Sequence, residues 1–157
     1  MKTLVFGFFA LMLTVAGAVA AEEAPDFSGT FEFDPKKGEN LGMAAAIKET
    51  IVVTQTPETM VIDFTDVFQG NTTTRQVTYD LTGGPVENFA AMGDRAITVS
   101  QWSDGQLVST WTMEGAIAGT EVVRTETRSL SEDGQTLTVE TVRDDRPPMI
   151  MVYDRTE

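Results

Sequence analysis

From Phe27 onwards, apolar and polar residues alternate in short runs, each broken by glycine, proline, asparagine or aspartate. A period of two puts successive side chains on opposite faces of a strand. In Phe27-Ser28-Gly29-Thr30-Phe31-Glu32-Phe33 the three phenylalanines share one face, and Ser28, Thr30 and Glu32 the other. Gly29 allows close approach to a neighbouring chain, and Asp34-Pro35 stops the run. An aromatic face of this kind needs a sheet closed over it. Further strands are predicted over 47–55, over the run ending near Phe68, and over 73–81, 86–89, 95–102, 106–114, 121–130, 136–143 and 149–155. The alanines in Leu41-Gly42-Met43-Ala44-Ala45-Ala46 favour a helix, but Gly42 interrupts them and the β-branched run Ile51-Val52-Val53-Thr54 follows at once. Ten short strands, with no long helical period and no internal repeat, predict an all-β chain folded as a single antiparallel up-and-down β-barrel.

Turn chemistry sets the registers. With Pro57-Glu58 as a two-residue loop, Val53 faces Ile62, Ile51 faces Phe64 and Ile47 faces Phe68, all on one side. The same register sets Glu49 opposite Asp66, so a bend, a cation or a proton must relieve two facing acids. Asp104-Gly105 predicts a type I′ loop that pairs Trp102 with Leu107, Ser100 with Ser109, Thr98 with Trp111 and Ala96 with Met113. Rings beside small residues on one face suit a barrel interior. A four-residue loop at Glu132–Gln135 pairs Leu130 with Leu137 and Arg128 with Val139. Arg124, Glu126 and Arg128 then lie on an otherwise apolar face, and a one-residue slip would send all three to solvent. An unpaired charge in a dry core costs several kcal/mol, so this face requires water, partners or a ligand.

Met1-Lys2, the apolar run from Leu4 to Val15, and Ala18-Val19-Ala20 have the charged, apolar and small-residue regions of a secretory leader. Cleavage is expected after Ala20, leaving residues 21–157 as one β-barrel domain released to the periplasm or medium. The run is shorter than the roughly 20 residues that span a bilayer, so no stable membrane insertion is expected after cleavage. The chain has no cysteine, which excludes disulfides and a lipid-modified cysteine anchor. Its formal net charge is −13. Such a surface repels polyanions and anionic membranes, which argues against nucleic acid as a partner and favours solubility.

The absence of histidine and cysteine removes the commonest metal ligands, the usual general base and the thiol nucleophile. Gly83-Gly84 is followed by Pro85 rather than by a helix start, so it does not cradle phosphate. Glu49 with Asp66, and the Asp144-Asp145 loop, are the carboxylate pairs that remain for acid–base work or Ca²⁺, against readings as a sheet edge and a solvated turn. No catalytic residue, metal or cofactor is assigned, and the chain is read as a non-enzyme.

Ser28-Gly29-Thr30-Phe31-Glu32-Phe33-Asp34-Pro35-Lys36-Lys37, Trp102-Ser103-Asp104-Gly105-Gln106-Leu107 and the 129–139 segment resemble a group of small secreted bacterial β-proteins, themselves similar to lipocalins and fatty-acid-binding proteins. Gly29-Thr30-Phe31 carries Phe where the lipocalin opening has Trp. The dozen or so residues between Asp34 and Ile47 are short for the two-helix lid of the fatty-acid-binding proteins. Tyr153-Asp154-Arg155 reverses that family's carboxylate-binding Arg-x-Tyr. The resemblance implies a soluble binding protein for an apolar or amphipathic small molecule. The alternative is an interaction or structural module of the envelope with a filled barrel. For the binding reading, the expected cavity is lined by Phe31, Tyr79, Trp102 and Trp111, with Arg75, Arg124 or Arg128 holding a polar or anionic end of the ligand.

Overall fold

A computed structural model describes residues 24–144 and 146–156. The leader and its cleavage point lie outside the described residues. Ten strands run in chain order: β1 (Gly29–Phe33), β2 (Lys48–Gln55), β3 (Thr59–Phe68), β4 (Asn71–Asp80), β5 (Pro85–Phe89), β6 (Arg95–Ser103), β7 (Gln106–Glu114), β8 (Glu121–Leu130), β9 (Thr136–Arg143) and β10 (Met149–Arg155). Every ladder is antiparallel, and the order β4-β3-β2-β1-β10-β9-β8-β7-β6-β5 makes a nearly closed up-and-down barrel.

The barrel's one seam falls between β4 and β5, which are consecutive in sequence yet form the two edges of the sheet. The Asn88 side chain crosses it. Its Oδ1 accepts from the Thr78 amide at 3.0 Å, and its Nδ2 donates to the Thr78 carbonyl at 2.8 Å and to Thr98 Oγ1 at 3.1 Å. A side-chain amide thus supplies the donor and acceptor that a neighbouring backbone would have given.

The registers follow the turn residues. Val53 pairs with Ile62, Ile51 with Phe64 and Glu49 with Asp66. Trp102 faces Leu107 and Thr98 faces Trp111 across a loop in which Asp104 (φ 49°) and Gly105 (φ 73°) both take the left-handed conformation of a type I′ turn. Leu130 pairs with Leu137 and Arg128 with Val139. Three details differ from expectation. The alanines do form a short 3₁₀ helix, Gly42–Ala46, because Gly42 at φ 54° starts the turn rather than breaking it. Ile47 closes that helix through its amide to the Ala44 carbonyl, so the β2 ladder begins one residue later and Ile47 does not pair with Phe68. Gln69-Gly70 alone makes the β3–β4 turn, which brings Asn71 into the ladder opposite Phe68.

Inward residues of every strand but β5 contribute to one core, in which Phe31, Met60, Leu107 and Leu137 are wholly buried. The end at the start of β1 is plugged. Phe27 stacks on Trp102 at 5.8 Å, and Gln55 holds the entering chain through Phe27 N (3.0 Å) and the Pro25 carbonyl (2.9 Å). The opposite half, towards the 3₁₀ helix, is not filled.

Candidate functional site

That half encloses a cavity of about 200 Å³. Strand alternation delivers its lining from Glu49 and Ile51 on β2, Phe64 and Asp66 on β3, Arg75 and Tyr79 on β4, Trp111 on β7, alternate residues of β8, and Met149, Met151 and Tyr153 on β10. Val139 and Thr141 of β9, Ala44 of the 3₁₀ helix and Ala91 of the β5–β6 loop also line it.

Two charged clusters face into this space. In the first, Glu49 stands opposite Asp66 and receives Tyr153 Oη on Oε1 at 2.5 Å and Arg75 on Oε2 at 3.2 Å. Arg75 also lies 3.8 Å from Asp66, and its guanidinium sits 3.4 Å from the centroid of the Phe64 ring. Burial and the facing Asp66 carboxyl push Glu49 up to about 7, against the pull of Tyr153 and Arg75. Arg75 thus stands between the two facing acids, and the raised Glu49 carboxyl takes up a proton more readily than an ordinary carboxylate.

In the second cluster Glu126 is held from both sides, by Arg128 on Oε2 at 2.9 Å and Arg124 on Oε1 at 3.1 Å. Arg128 also donates to Tyr79 Oη at 2.6 Å. The guanidiniums of Arg124 and Arg128 lie over Trp111 and Tyr79, 4.3 and 4.6 Å from the ring centroids, and the two rings meet edge to face. Burial pushes the Glu126 carboxyl up, but Arg128 and Arg124 outweigh it and hold the group below the usual carboxylate range. Burial likewise raises the Tyr79 phenol, so it stays a neutral hydrogen-bond partner.

The clusters are not self-sufficient. Among the described residues, five buried side-chain atoms around the cavity have no hydrogen-bond partner: Asp66 Oδ1, Arg75 Nε, Trp111 Nε1, Arg124 Nε and Arg128 Nη1. Four are donors and one is an acceptor. Such atoms are costly to leave unmet, and donors in this excess suit an acceptor-rich, anionic group.

Of the residues predicted to line a cavity, Arg75, Tyr79, Trp111, Arg124 and Arg128 do so. Phe31 and Trp102 do not. Both point inward but lie towards the plugged end, where Phe31 packs beneath Arg155, its ring centroid 4.4 Å from the guanidinium, and Trp102 stacks on Phe27. Parity alone cannot distinguish the two ends of a barrel. Tyr153 is the residue missed, although Met149, Met151 and Tyr153 share one parity on the last strand. Arg155 donates to the carbonyls of Gly134 (2.6 Å) and Ser28 (2.5 Å), so the reversed Tyr-Asp-Arg segment splits between cavity and plug. Asp144 sits exposed in a turn at φ 52°, and Asp145 lies outside the described residues.

No family model matches the chain, and no curated protein sequence is similar to it. Solved structures are. The chain superimposes on a Schistosoma mansoni fatty acid binding protein in complex with arachidonic acid with a TM-score of 0.65 at 14% identity, over 83% of this chain and 96% of that one. It superimposes on Echinococcus granulosus fatty-acid-binding protein 1 with a TM-score of 0.62 at 16% identity, over 83% and 98%. Human cRBP IV matches with a TM-score of 0.61 at 15% identity, over 84% and 99%. The fold is thus that of the fatty-acid-binding and lipocalin-like barrels, as the sequence resemblance implies.

Proposed function

We propose that the protein binds an apolar or amphipathic small molecule with an anionic end inside its barrel, and does so as an exported protein of the periplasm or medium. The observation that carries the binding reading is the convergence of four unmet buried donors on one cavity with aromatic walls. Such a site takes affinity from buried apolar area and orientation from a few convergent polar groups. The likeness to proteins named for fatty-acid binding supports the same reading, and the apolar leader at residues 4–15 supports export. The ionisable cavity residues are engaged in ion pairs and hydrogen bonds, which suits a binder better than a catalyst.

Native mass spectrometry of the purified protein, followed by isothermal titration with carboxylic acids of graded chain length, tests the reading. Saturable binding that weakens in Arg124→Met supports it, and no binding in either protein counts against it. One observation favours a second reading: about 200 Å³ is below the several hundred expected of a roomy ligand pocket. A barrel filled mainly by its own side chains would serve as an interaction module of an envelope assembly, and a co-purifying protein in the same mass spectrum would favour that role.

A further inference from the structure

The cavity holds three guanidiniums, Arg75, Arg124 and Arg128, and three carboxyls, Glu49, Asp66 and Glu126. Fully ionised, they sum to zero. An anion entering this space would leave one uncompensated negative charge in a low-dielectric interior, which is costly unless something neutralises it. The Glu49–Asp66 pair is built for that. The β2–β3 register sets the two carboxyls directly opposite, Glu49 is only 6% exposed, and Asp66 Oδ1 is an acceptor without a donor. Like charges so placed cannot both ionise freely, and one proton between them satisfies the orphan acceptor.

Resting on the binding role proposed above, we infer that this cavity takes up a compact monoanionic acid together with one proton, the anion on the free donors of Arg124, Arg128 and Trp111 and the proton on the Glu49–Asp66 pair.

The groups around Glu49 define the coupling. Asp66 faces it from β3, Arg75 and Tyr79 come from β4, and Tyr153 comes from β10. The inward residues of β1, Phe31 and Phe33, carry no charge, nor does the 3₁₀ helix Gly42–Ala46. Arg124, Glu126 and Arg128 look in from β8. Glu49 therefore has one cation in contact, shared with Asp66, while Glu126 has two. The proton goes to the poorer of the two sites, consistent with Glu49 being raised while Glu126 is lowered.

Sign and window follow. Below about pH 7 Glu49 already holds its proton, and the anion enters a site carrying net positive charge. Above it the proton must be taken from solvent, so binding weakens with rising pH until the pair's pKa in the complex is passed. The cavity also sets the ligand's size. A cavity of about 150 Å³ holds one benzene, so about 200 Å³ suits a ring or a chain of roughly six to eight carbons rather than a long acyl chain.

Isothermal titration of the purified protein with octanoate tests this in Tris and HEPES, buffers that differ in ionisation enthalpy, so the heat difference counts protons. At pH 7.5 to 8 the expected uptake is about half to one proton per octanoate, with Kd weakening up to about tenfold per pH unit above 7. The background is low, because the chain has no histidine or cysteine, the side chains whose ordinary values lie nearest that range. In Glu49→Gln the uptake and the pH dependence should disappear. If that variant does not fold, Asp66→Asn, or the side-chain carboxyl ¹³C shift of Glu49 followed with and without octanoate in the unsubstituted protein, gives the same answer. Octanoate binding without proton uptake overturns the inference and leaves the binding reading standing. Octanol binding as tightly as octanoate overturns the anion's role, and palmitate binding more tightly overturns the size assignment. No saturable binding of octanoate, benzoate or octanol between pH 5 and 9 overturns the binding reading and the inference with it.

Discussion

Glu49 makes folding oppose its own ionisation: its carboxyl sits at about 7 in the barrel, against 4.5 in the unfolded chain. An acid raised by folding leaves stability intact below its unfolded value and removes it as pH rises through the folded one. The loss here develops between about pH 4.5 and 7 and amounts to about 3 kcal/mol. Glu49→Gln should therefore be more stable than the unsubstituted protein at pH 8 by up to that amount, and equal to it near pH 4. Urea denaturation at both values checks this, and a stability gain that does not depend on pH would contradict it. Tyr153 acts in the other direction, because its hydroxyl favours the charged carboxylate at 2.5 Å. Tyr153→Phe should move the Glu49 midpoint further up, as followed by carboxyl ¹³C shifts. Trp111 is 2% exposed, wedged between Tyr79 and Arg124. Replacing it by alanine should cost about 3 to 5 kcal/mol if the site does not collapse.

The strands differ in how securely they are tied. β3 and β4 share a full ladder, as do β6, β7 and β8, whereas β4 meets β5 through the Asn88 side chain. Asn88 is 5% exposed, so removing it leaves the half-buried amide and carbonyl of Thr78 without that partner, at about 1 kcal/mol. Asn88→Ala should speed hydrogen exchange at Thr78 selectively and leave β7 amides protected. Uniform acceleration across the barrel would mean that the seam is not a local weak point. The β6–β7 turn poses a different question, since a Cβ on Gly105 would meet no atom within 4 Å. Gly105→Ala should then cost only the backbone strain of φ 73°, about 1–2 kcal/mol.

Charge is unevenly distributed in the whole molecule. The interior holds equal numbers of acids and guanidiniums around its cavity, and the excess that makes the net charge −13 is carried elsewhere. Exposed like charges repel over about a Debye length, and salt screens them while barely touching buried pairs. The melting temperature at pH 7 should consequently rise with added NaCl. A fall would indicate that exposed ion pairs, such as Lys37 with Asp154, contribute more than the repulsion.

Much of this was legible in the chain because strand physics is local. A period of two assigns each side chain to a face, and a two-residue turn such as Asp104-Gly105 sets the register of the strands it joins. The same logic sets Glu49 against Asp66 and turns Arg124, Glu126 and Arg128 inward, as the ladders have them. Distance along the barrel axis is not local. Phe31 and Trp102 have the inward parity of Trp111, yet they pack in the plug because Phe27 and Gln55 close that end. Nor does pairing with adjacent strands reveal which charges meet across the interior. Tyr153 reaches Glu49 from a residue 104 positions away, and Arg128 reaches Tyr79 from 49 away. Turn chemistry and alternation decided which residues face inward, while the closure of β10 onto β1 decided which of them share a cavity. Contacts between distant residues depend on the shape of the closed barrel, which no short stretch of sequence encodes.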